Sequence, residues 1–250
     1  MAKRSSTWDS ALLGVRPFTI AQGEIGYSYN LLQERFFETF NLAMALERPA
    51  HFEKQIGFHP YSVALWHVSQ NDRQQRQLAL TALENLPTNL DIKGGIERLQ
   101  WARKHTDRLS EYRNLITHTP VTYWIRSVDA NAMAKRLDFV PKIGSIGTKP
   151  INLSRLWAIR SVRFWKALRN DFLNLGEYVD FVNRQIYWRA YEKEFGPVVG
   201  AHRAWPRRPK LPSLHRIDLI EQAVKTRSPT SPPARRKRRR PWRGRPRGQS

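Results

Sequence analysis

Residues 165–186, WKALRNDFLNLGEYVDFVNRQI, decide the fold. Within them Trp165, Leu168, Phe172, Leu175, Val179, Val182 and Ile186 recur at intervals of 3, 4, 3, 4, 3 and 4. An α-helix turns about 100° per residue, so this spacing lays one apolar seam along one side, as a helix needs to pack lengthwise on another. Arg155, Arg163, Lys166 and Arg169 fall on the opposite side and form a basic face suited to a nucleic-acid groove. Ser154 is the expected N-cap.

Upstream, the same periodicity returns. Ile25, Tyr29, Leu32, Phe36, Phe40 and Ala43 mark a helix over Gln22 to Glu47, ended by Arg48-Pro49. Pro60 opens a second helical stretch through Tyr61, Ala64, Leu65 and Val68. Ser69 with Asp72 three residues on has the form of a capping box, so the chain is expected to break near Ser69 and resume through Leu78, Ala82 and Leu86. After a loop over Pro87 to Gly95, Leu99, Ala102, Leu109, Tyr112 and Ile116 share one face of a helix from about Ile96 to His118. Thr119-Pro120 stops it. Thr122 to Val128 is rich in β-formers, Ala130 to Leu137 suggests a short helix, and Pro141 to Pro150 reads as a loop. The pattern is an all-α helical bundle of four to six helices over residues 16–196, preceded by a flexible N-terminus at 1–15.

Beyond Gly196-Pro197 the composition shifts to Pro and Arg. Residues 197–226 read as a linker whose apolar island, Leu214 to Val224, suits a short docking helix, and residues 227–250 as a disordered basic tail. Of the formal net charge of +22, the last fifty residues carry +14, because Asp218 and Glu221 are their only acids. Arg235, Arg236, Lys237, Arg238, Arg239 and Arg240 form an unbroken cationic run that can displace counterions from several phosphates. Arg243-Gly244-Arg245-Pro246-Arg247 resembles the AT-hook core, which lies extended in the minor groove of A·T-rich DNA. The tail therefore calls for a polyanionic partner, either DNA or RNA.

With no cysteine, the chain has neither disulfides nor thiolate zinc sites. No apolar run approaches the length of a membrane span, and Met1 to Ser10 lacks the apolar stretch of a secretory signal, so the reading is a cytoplasmic protein. His51, His59 and His67 lie eight apart, a spacing that does not put two on one helical face in adjacent turns, and no metal is expected. There is no Gly-rich phosphate loop or nucleophile elbow, and no cofactor is expected. Trp157, Trp165 and Trp188 stand beside Arg residues as base-stacking platforms would, but at apolar positions that read more simply as core.

The candidate chemistry is at the end of the 96–118 helix. Arg113 falls in the middle of that helix's apolar stripe, where an unpaired guanidinium is costly and needs a carboxylate, carbonyls or a phosphate. His118 closes the same helix, and Asn114 sits one turn before it on the same face. An Arg to hold a phosphate and a His to move a proton suffice for metal-independent RNA cleavage.

Here the sequence resembles the HEPN superfamily, the higher eukaryotes and prokaryotes nucleotide-binding domains. These are helical bundles marked by an Arg, a polar residue, and a His four to six positions after the Arg, matched by Arg113, Asn114 and His118. The resemblance implies an RNA-binding domain or endoribonuclease that forms a homodimer with two motifs facing a shared cleft. His118 would then be the general acid or base, Arg113 would stabilise the phosphate, and Asn114 would support both. The alternative is a non-enzymatic helical interaction protein that binds nucleic acid through its tail. In that reading Arg113 pairs with Glu34, Glu38 or Asp171 and His118 merely caps its helix.

Overall fold

The computed structural model describes residues 7–47, 60–69, 71–86, 90–118, 121–126, 138–143, 161–197 and 204–227. The fold is an all-α helical bundle. Among the described residues there are six helices: α1 (Thr7–Leu46), α2 (Pro60–Val68), α3 (Asp72–Glu84), α4 (Lys93–His118), α5 (Val162–Phe195) and α6 (Pro212–Arg227). Between α4 and α5 the backbone forms an antiparallel pair of short strands, β1 (Val121–Arg126) and β2 (Asp138–Ile143), with Val121 opposite Ile143 and Arg126 opposite Asp138.

The 165–186 seam is the spine of the bundle. Leu168, Phe172, Leu175, Val179, Val182 and Ile186 of α5 are fully buried, as are Ile25, Leu32 and Phe36 of α1. These two helices run parallel: Phe18 meets Trp165 edge-on at 5.1 Å, Tyr29 meets Phe172 at 5.2 Å, and Thr39 Oγ1 lies 2.8 Å from Asn183 Oδ1. Asn183 Nδ2 also donates to the carbonyl of Arg35 at 3.0 Å, so the polar pair inside the seam is satisfied and fixes the register. Helix α4 runs the other way along α5, with Trp101 against Tyr178 at 5.4 Å and Tyr112 against Phe164 at 6.0 Å. Helix α3 closes the bundle against α1 and α4 through Ala79, Leu80 and Leu83.

Several boundaries differ from the sequence reading. Helix α1 begins at Thr7, so residues 7 to 15 continue the helix where a flexible N-terminus is expected, and Pro17 lies within it. The break between α2 and α3 is present, but the cap is Asn71 and not the expected Ser69. The Asn71 side chain accepts from the Gln74 N–H at 3.0 Å, directly before the first residue of α3. Strand β1 occupies the β-rich stretch, while β2 takes Pro141 to Ile143 out of the expected loop. Helix α5 begins at Val162; Ser154, Trp157 and the short helix expected over Ala130 to Leu137 lie outside the described residues.

The apolar island becomes α6, extended at both ends, and it is bound to the bundle from Ser213 to Glu221. Asp171 of α5 is fully buried, and its Oδ2 accepts from the backbone N–H of Ser213 at 2.9 Å and from the Ser213 hydroxyl. A carboxylate there meets the unpaired N–H groups of the first turn of α6. Leu211, Leu214 and Ile217 follow into the core. Before α6, the Trp205 indole lies against the start of α4, where Cβ atoms at Gly94 and Gly95 would come within 2.7 and 2.8 Å of it. The guanidinium carbons of Arg98 and Arg189 stand 5.5 and 4.5 Å from its ring centre.

Candidate functional site

Helices α3 and α4 leave a groove of about 1120 Å³ between them, lined by six cations and four carboxylates along with Tyr29 and Asn114. Its floor is a polar network anchored on a buried guanidinium. Arg76 is 1% exposed, and its Nε and Nη2 donate to Asp107 Oδ1 at 3.0 and 2.6 Å. Its Nη1 donates to the Tyr29 hydroxyl at 3.1 Å, which in turn donates to Asp72 Oδ2 at 2.8 Å. Burial raises the Tyr29 hydroxyl pKa against the opposing pull of Arg76, so it remains a donor. Arg73 Nε and Arg103 Nε approach the other oxygen of Asp107 at 3.6 and 3.8 Å. One carboxylate thus faces three guanidiniums, leaving local positive charge in excess.

Arg113 enters this groove. Its guanidinium carbon lies 4.6 Å from the Tyr29 ring centre, and its Nη1 donates to Asn114 Oδ1 at 2.8 Å. Its Nε is enclosed without a hydrogen-bond partner, and among the described residues no carboxylate is within ion-pair distance of it. The partners offered by the sequence are engaged elsewhere or exposed: Glu38 holds Arg35 at 2.6 Å, Asp171 holds Ser213, and Glu34 lies on the open side of α1. The core-stripe position of Arg113 is real, but only half-buried, because the side chain reaches out of the seam past Tyr29 toward the groove.

His118 is not brought to the same place. It is exposed on the last turn of α4 and does not line the groove that Arg113 and Asn114 line. Five residues of helix separate it from Arg113 by about 140° and ~7.5 Å of rise. The end of α4 is held instead by Gln22, whose Nε2 lies 3.4 Å from the carbonyl of Ile116 and 3.3 Å from that of Thr117.

Of the expected basic face, three members lie on α5 and one of them is paired. Arg163 and Lys166 are exposed or nearly so, but Arg169 Nη1 donates to Glu24 at 3.0 Å and its Nε to Asn170 at 3.1 Å. Arg155, Arg235 to Arg240, Arg243, Arg245 and Arg247 lie outside the described residues, as do His51 and His59; His67 is exposed at the end of α2. Trp165 is core, whereas Trp188 joins Tyr187, Tyr191 and Phe195 in a partly exposed aromatic cluster at the far end of α5. Arg73, Arg76, Arg103 and Asp107 are groove residues that sequence reasoning misses. The Arg103–Asp107 spacing of i, i+4 is the available signal.

No helix among the described residues is long and apolar enough to cross a membrane, and none of their His, Asp and Glu side chains cluster as a metal site would require. Comparison with protein-family models, with curated proteins and with solved structures finds no match.

Proposed function

We propose that this chain is an RNA-binding helical module of HEPN-like character, holding the phosphate backbone of a single strand along the α3/α4 groove. The observation that carries the reading is the state of Arg113: a half-buried guanidinium, stacked on Tyr29 and joined to Asn114, with no carboxylate among the described residues to neutralise it. Such a group is stabilised by an incoming anion, and the planar guanidinium suits a phosphate's paired oxygens. Arg73 and Arg103, sharing Asp107 with Arg76, add charge along the same wall. The tail supplies nonspecific affinity for the same polyanion.

Binding is favoured over cleavage because, among the described residues, no histidine lines the groove beside Arg113; His118 lies outside it. Metal-independent cleavage in the HEPN manner would need a second copy to bring its His118 to this chain's Arg113, with Asn114 supporting. Two measurements test the reading. In fluorescence anisotropy with single-stranded RNA, Arg113→Gln weakens binding by roughly 10-fold, the value of one charge-assisted phosphate contact, while His118→Ala leaves it unchanged. In an RNA-cleavage assay without divalent metal, the wild-type chain is inactive. Cleavage lost with His118→Ala would replace binding by catalysis, and undiminished affinity in Arg113→Gln would remove the groove from the site.

A further inference from the structure

Arg108 lines the α3/α4 groove, yet both of its terminal nitrogens are taken by α6. Nη1 contacts Asp218 Oδ1 at 2.5 Å, and Nη2 donates to Glu221 Oε2 at 2.9 Å. The Tyr112 hydroxyl lies 3.2 Å from Glu221 Oε1. Two carboxylates thus serve one guanidinium, the reverse of Asp107, where three guanidiniums share one carboxylate. Each terminal nitrogen of Arg108 meets an anionic oxygen, as it would on a phosphate. Asp218 and Glu221 are also the only acids in the last fifty residues of the chain.

The docking of α6 has other supports. Asp171 accepts from the Ser213 N–H at 2.9 Å, and Leu214 and Ile217 are 7% and 0% exposed. The carboxylates of Asp218 and Glu221 are therefore presented by a helix that is fixed independently of them. The Arg108, Asp218 and Glu221 side chains keep 34%, 40% and 30% of their surface in water. Ion pairs exposed to this degree are weak and open to exchange, so a phosphate arriving in the groove can compete for the guanidinium. Arg76, by contrast, is 1% exposed and is fixed on Asp107 through two nitrogens. The long stem of Arg108 lets its charge pass from one acceptor to another without a shift of either helix.

We propose that Arg108 is a further phosphate ligand of the groove, and that Asp218 and Glu221 of α6 are its built-in competitor, occupying the guanidinium until an RNA strand displaces them. This rests on the RNA-binding reading and adds regulation to it. The acidic pair sets a threshold: an anion held nowhere else in the groove does not release Arg108, whereas a strand already held at Arg113 does. Helix α6 stays docked throughout by Ser213, Leu214 and Ile217, and only side chains move.

The test is a double-mutant cycle on the full-length chain, read by fluorescence anisotropy with a single-stranded RNA of about 6 nucleotides, the scale of one binding groove. Asp218→Asn/Glu221→Gln removes both charges while keeping side-chain size, and should tighten binding by ~10-fold, the value of one charge-assisted phosphate contact. Arg108→Gln should then cost ~10-fold in that background but less than about 2-fold in the otherwise wild-type chain. If Arg108 never meets RNA, losing two negative charges still tightens binding, but Arg108→Gln has the same effect in both backgrounds. An equal loss, or a larger loss in the wild-type background, therefore overturns the proposal. Amide protection of residues 213–223 should persist in every variant. Its loss in Asp218→Asn/Glu221→Gln would make the acidic pair an anchor of α6 and overturn the proposal as well. Absence of RNA binding by every chain, or undiminished binding in Arg113→Gln, removes the RNA-binding reading itself.

Discussion

Asp171 gives the structure its clearest dependence on pH. Its carboxyl is enclosed between α5 and α6, and burial pushes its pKa from 3.8 to about 6, although the Ser213 hydroxyl and N–H and the Leu214 N–H pull it down. In the unfolded chain it titrates near the ordinary value, so between roughly pH 4 and 6 the folded chain holds a proton that the unfolded chain has released. Its favourable contribution is therefore complete below about pH 4 and is lost as pH rises through about 6. A shift of about two units corresponds to ~3 kcal/mol. Other carboxylates titrate in the same range, and a difference between two chains removes them. The side-chain amide introduced by Asp171→Asn keeps an acceptor for Ser213 but cannot ionise. Urea unfolding followed by circular dichroism should show the variant gaining on the wild type by ~3 kcal/mol between about pH 4 and 7.5, most of it before pH 6.5. Ser213→Ala, which removes one of the stabilising donors, should move the window upward. A wild-type-minus-variant difference that is flat with pH, or that runs the other way, would refute the reasoning.

Three further outcomes follow from the same contacts. Asp107→Ala strands the buried Arg76 and should cost about 3–5 kcal/mol in denaturant unfolding, whereas Arg76→Met should cost less, since Asp107 keeps Arg73 and Arg103. Gly95→Ala, which on helix propensity alone would stabilise α4 by about 1 kcal/mol, should instead destabilise by ~1–3 kcal/mol, because the new methyl meets Trp205 and Ile186 at 2.8 Å; a raised melting temperature would show that the indole moves aside freely. Ending the chain after Arg227 removes the nine cations of 235–247 and should lower the salt dependence of single-stranded RNA binding by up to roughly six units of log–log slope.

Helices are legible in the sequence wherever one face has to be apolar. The 3–4 spacing over residues 165–186 and the stripe from Ile25 to Ala43 are both seams in the structure, because a bundle helix has only one way to hide such a row. Arg113 is legible as an anomaly for the same reason. What it faces is not: Tyr29 lies 84 residues away in the chain, and a cation over an aromatic ring leaves no local pattern. The groove itself comes from two helices whose polar faces each look ordinary alone, and only their antiparallel pairing puts Arg76 on Asp107. Asn71 displaces Ser69 as the cap because either residue type serves and the choice depends on where the tertiary contacts start the helix. Spacing alone puts Arg169 on an open face, and Glu24 of α1 captures it across the seam.

The parallel pairing of α1 with α5 sets an order on the making of the protein. Ile25, Leu32 and Phe36 lie on a helix that α3 also packs against but whose longest contact is with α5, more than a hundred residues downstream, so a chain emerging N-terminus first carries part of that apolar row uncovered until α5 has been synthesised. Until then the nascent chain presents the part of that stripe which α3 and α4 leave open, an aggregation-prone surface. A fragment ending before α5 should accumulate as aggregate, and the full chain should acquire protease resistance late, in one step, after α5 has left the ribosome.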